Sequence, residues 1–64
     1  MTEEQSQLAQ RAVEILRAIK DQLRDAAHVL DEAGAEGIAR EVRELVPGID
    51  ERIAVVEMWE DHYP

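Results

Sequence analysis

Neither glycine nor proline occurs before Gly34. Within that stretch Leu8, Ala12, Ile15, Ile19, Leu23, Ala26 and Leu30 recur at steps of 4, 3, 4, 4, 3 and 4. Residues three and four apart are neighbours on a helix surface, so this spacing draws one apolar stripe along a single long α-helix. Such a helix cannot bury its own stripe. The rest of this 64-residue chain must therefore cover it, alone or together with a second copy.

The helix has a readable start. Thr2 and Gln5 have the spacing of a capping box, and Glu3 and Glu4 fall in the first turn, where the helix dipole favours carboxylates. The predicted helix runs over about 3–33. The turn is placed at 34–37, with Gly34 suited to the left-handed position after a helix C-terminus.

The second arm repeats the pattern 30 residues on, with Ile38, Val42, Leu45, Ile49, Ile53, Val56 and Glu60 at the same steps. Two arms of equal period joined by a short glycine turn predict an αα-hairpin. Pro47-Gly48 interrupts the second arm, because proline lacks the N–H and glycine is a poor helix former. The arm is expected as two helical pieces, about 36–46 and 48–62, kinked or broken at Pro47-Gly48, with three separate helices as the alternative. The expected fold is all-α: one hairpin domain over residues 1–64, pairing into a four-helix-bundle homodimer.

Composition supports oligomerisation. A domain this small buries only about 60 % of its unfolded surface, and the aromatic residues are Trp59 and Tyr63. There is no cysteine to supply a disulfide or a thiolate zinc site, which leaves self-association as the support most readily available. The expected self-association core is Leu8, Ala12, Ile15, Ile19, Leu23, Leu30, Ile38, Val42, Leu45, Ile49, Ile53 and Val56.

The size and layout resemble the Rop family of plasmid regulators, helical hairpins that dimerise. The resemblance covers most of the chain and carries no specific motif. It implies a four-helix bundle and, as one alternative function, RNA binding on Arg11, Arg17, Lys20 and Arg24. The chain departs from that pattern in its charge. The formal charge is −8. Residues 1–30 hold five acids and four bases, whereas residues 31–64 hold ten acids and three bases. A nucleic-acid backbone or an anionic membrane calls for clustered Lys and Arg, so neither is the expected partner; a basic protein is.

The C-terminal third carries a second stripe, Val55, Met58, Trp59 and His62, flanked by Glu51 and Asp61. A Trp and a Met at helical spacing read either as more of the dimer's own packing or as anchors for a different protein. The expected function is a small, acidic, non-enzymatic interaction or regulatory subunit using that stripe. The alternative is an acidic inhibitor or antitoxin, of the phage anti-defence kind, that mimics nucleic acid and fills a basic cleft with Glu36, Glu41, Glu44, Asp50, Glu51, Glu57, Glu60 and Asp61.

No enzymatic chemistry is expected, since the chain has no thiol nucleophile, no P-loop and no glycine-rich phosphate cradle. No cofactor and no metal is expected either. Asp25 and His28 have a carboxylate–histidine i, i+3 spacing, but they point away from the stripe. Glu60 stands on the stripe, either as a buried carboxylate or where the bundle opens. No apolar run reaches membrane-spanning length and no signal peptide is read, so a cytoplasmic location is expected.

Overall fold

The computed structural model describes residues 2–62, with side chains described through Glu60. It is an antiparallel helical hairpin, built from α1 (Glu3–Glu32), α2 (Glu36–Glu44) and α3 (Val46–His62). Helix α1 forms one arm; α2 and α3 form the other, bent arm.

The local signals explain the elements. The Thr2 hydroxyl accepts from the Gln5 N–H at 3.1 Å, and the Gln5 side-chain oxygen accepts from the Thr2 N–H at 3.0 Å, which closes the expected capping box. At the other end Ala35 N–H donates to the Leu30 carbonyl (2.8 Å) and Gly34 N–H to the Asp31 carbonyl (3.1 Å). This is a Schellman motif, and it requires the left-handed Gly34, whose φ is +88°.

The break in the second arm falls at Leu45, two residues before Pro47. Helix α3 makes its first backbone bond from Ile49 N–H to the Leu45 carbonyl. Pro47 therefore sits in the first turn of α3, where a missing N–H leaves no intrahelical bond unmade.

The seam between the arms follows a regular heptad. On α1 it is Ser6, Ala9, Val13, Leu16, Lys20, Leu23, Ala27 and Leu30, at alternating steps of 3 and 4. On the second arm it is Ala35, Ala39, Val42, Val46, Ile49, Ile53, Val56 and Glu60. These are the a and d positions of a coiled-coil-like pairing. Ala9, Val13, Ala27, Ala39, Val46 and Ile53 are buried, and the rest of the seam is half-buried. Ala27 and Ala39 have no exposed surface, so small side chains let the arms approach closely near the turn.

The molecule is a slab one helix thick, with principal extents of 48 × 15 × 9 Å. Among the described residues no large side chain is fully buried. No helix of the described residues is long and apolar enough to cross a membrane.

Candidate interaction surface

A two-helix slab has two broad faces, and here they differ in chemistry. One is charged. The Arg17 guanidinium pairs with Glu57 at 2.9 Å and the Lys20 ammonium with Asp50 at 2.9 Å. Near the turn Arg43 pairs with Asp31. The Gln10 amide donates to Glu60 at 3.0 Å, and the Ser6 hydroxyl donates to the same carboxylate. Arg17 and Asp31 occupy the e positions of α1, and Arg43, Asp50 and Glu57 those of the second arm, so both edges of the seam on this face are ionic.

Glu60 is thus a half-buried a-position carboxylate held by two donors at the open end of the hairpin. It also lies beside the first turns of α1, where the helix dipole favours a negative charge. A shallow depression of about 280 Å³ on this face is lined by Gln10, Val13, Glu14, Arg17, Glu57 and Glu60. The residues around it are carboxylates, an amide, a guanidinium and an aliphatic side chain.

Arg43 beside Asp31 holds that carboxyl below its ordinary 3.8, through the hydrogen bond first and charge attraction second. The same pair raises the Arg43 guanidinium above its ordinary value. Both groups stand in solvent, so the pair fixes geometry at the turn more than it adds stability.

The opposite face is apolar. On α1 it carries the c and g positions of the heptad: Leu8, Ala12, Ile15, Ile19, Gln22, Ala26 and Val29. On the second arm it carries the g positions Ile38, Leu45, Arg52 and Trp59, each seven residues from the next. The large apolar members are exposed in the single hairpin, from Ile19 at 37 % to Leu8 at 60 %, with Trp59 at 44 %. Helix α1 therefore carries two apolar seams side by side: a/d is covered by the second arm and c/g is not.

The structure divides the stripe expected from the sequence. Leu23, Leu30, Val42, Ile49, Ile53 and Val56 lie between the arms, whereas Leu8, Ala12, Ile15, Ile19, Ile38 and Leu45 lie on the open apolar face. The seam residues that the sequence pattern missed are Ser6, Ala9, Val13, Leu16, Lys20 and Ala27 on α1, and Ala35, Ala39 and Val46 on the second arm. Their alternating 3–4 steps were a usable signal, masked by the polar Ser6 and Lys20.

The C-terminal stripe also divides. Trp59 stands on the apolar face, Val55 at its outer margin, and Met58 on the far side of α3 from α1. Val55 and Met58 are exposed, as is Glu51, which lies 3.5 Å from Arg52. Asp61 and His62 belong to α3, but their side chains lie outside the described residues. His28 pairs with Glu32 at 3.0 Å in solvent, and among the described residues no group of three or more His, Cys, Asp or Glu converges as a metal site would need.

Compared with family models, with curated proteins and with solved structures, the chain finds no match. The fold class and the surface chemistry are therefore what any functional reading rests on: an acidic helical hairpin with one ionic and one apolar face.

Proposed function

We propose that this chain is a non-enzymatic interaction module that works as a homodimeric four-helix bundle, its apolar face packed against that of a second copy. One observation carries the reading: a slab one helix thick has a regular second heptad seam, Leu8-Ala12-Ile15-Ile19 with Ile38, Leu45 and Trp59, open on one face only. Ionic pairs occupy the other face, so the two faces are not interchangeable. In the bundle Val55 and Met58 stay at the outside of α3 beside Glu51 and Glu57, an apolar contact with an acidic rim suited to a basic protein partner. Light scattering of the native chain over a dilution series tests the pairing. A mass of two chains that falls to one on dilution fits it, and a single chain at every concentration sinks it.

A second reading has its own support. Glu36, Glu41 and Glu44 are exposed and form no ion pair among the described residues. They form an acidic surface on α2 able to fill a basic, nucleic-acid-binding cleft, as an inhibitor or antitoxin would. Binding of that kind weakens steeply with added salt, whereas an apolar contact through Met58 and Val55 does not.

A further inference from the structure

We infer that Gln22 and Arg52 form a polar layer that fixes the register in which two copies of this chain pair; the inference rests on the face-to-face pairing proposed above. The cross-arm contacts set which residues are level along the hairpin. Gln10 meets Glu60, Lys20 meets Asp50 and Asp31 meets Arg43, so residues whose numbers add to about 70–74 share a height. By that rule Arg52 lies level with residues 18–22, between Ile19 and Gln22. Trp59 lies level with Ala12, and Leu45 with Ala26.

The apolar face is thus a series of rows. Leu8, Ala12 and Trp59 form the open end; Ile15 and Ile19 follow; Ala26 and Val29 with Leu45, and then Ile38, lead to the turn. Gln22 and Arg52 make the polar row among them, both exposed, while Glu41 stands at the outer margin near the turn. The polar row falls close to the middle of the apolar face, which runs from Leu8 at the open end to Ile38 at the turn.

That placement points to a second copy as the occupant. A two-fold axis, whether along the helices or across them at that row, brings the polar row of one chain onto the polar row of the other. Apolar rows then meet apolar rows. A slip by a turn or more sets the Arg52 guanidinium among apolar side chains of the partner copy, such as Ile15 or Leu45, at a cost in desolvation. A single polar layer in an otherwise apolar helix seam specifies register and oligomer order in this way, at some expense in stability. The area also fits. The face measures 48 × 15 Å between Cα extremes, roughly 700 Å², close to the ~800 Å² per partner of a stable interface.

The chain has no cysteine, so Asp21→Cys on the opposite, exposed side of α1 gives one attachment point for a nitroxide spin label. Electron–electron distance measurement then reads the pairing geometry directly. In the otherwise native dimer a single narrow distance is expected. In Gln22→Leu/Arg52→Leu the distribution should split or broaden, or the native mass should exceed two chains. The pair Gln22→Ala/Arg52→Ala, which adds no large apolar surface, should broaden in the same manner. A dimer with the same narrow distance in all three backgrounds overturns the register role while leaving the pairing intact. A native chain that is monomeric by light scattering removes the pairing itself, and the register role with it.

Discussion

Arg43 of α2 closes on Asp31 of α1 across the glycine turn, one heptad beyond the Lys20–Asp50 pair and on the same face. The turn is thereby held twice, by the Schellman bonds of its backbone and by an ion pair between the helices it joins.

This pair makes stability depend on pH with a definite sign. Asp31 has its pKa lowered in the folded chain, so its contribution is fully present above the ordinary 3.8 and disappears as pH falls through the lower folded value. Comparing native chain with Asp31→Asn by thermal melting should show a gap at neutral pH that closes in acid. A gap that stays constant down to pH 2 to 3 removes the pair as its cause.

The three glycines divide by conformation. Gly48 lies within α3 and Gly37 within α2, and an added Cβ meets nothing at either. Gly48→Ala and Gly37→Ala should each stabilise by about 0.5–1 kcal/mol, from helix propensity and a less free unfolded chain. Gly34→Ala, at φ +88°, should destabilise by about 1–2 kcal/mol despite the open space around it. Urea unfolding reads all three, and a stabilising Gly34→Ala would contradict the turn geometry.

Close approach near the turn depends on Ala27 and Ala39, both without exposed surface. Ala39→Leu should cost about 1–3 kcal/mol by overpacking, although leucine is as good a helix former as most residues. Unchanged stability would mean that the arms lie further apart than described.

Ile53 and Ile19 separate the two seams. Ile53 is buried between the arms, and Ile53→Ala should cost about 2–5 kcal/mol at any protein concentration. Ile19 is exposed in the single hairpin, so Ile19→Asp should leave the hairpin helical but halve its native mass. Circular dichroism with light scattering checks both; an Ile19→Asp dimer of native stability refutes self-association through that face.

Residue types and spacings alone determine much of this protein. The capping box at Thr2 and Gln5, the glycine at the turn, the two equal arms and the interruption near Pro47 follow from local chemistry, because caps, left-handed glycines and missing N–H groups act over a few residues. Which seam of α1 meets the second arm does not follow. Helix α1 is apolar over two adjoining stripes, and spacing favours the one with larger residues, Leu8, Ile15 and Ile19. The chain instead closes on Ala9, Val13, Leu16 and Ala27, with Ser6, Lys20 and Glu60 in the same seam. Only the tertiary structure decides this, because the rotation of each helix depends on partners distant in sequence. Arg17 finds Glu57, Lys20 finds Asp50 and Asp31 finds Arg43 along one edge, and the alanines let the arms approach. That rotation turns the larger residues outward and leaves this small acidic hairpin with an open apolar face.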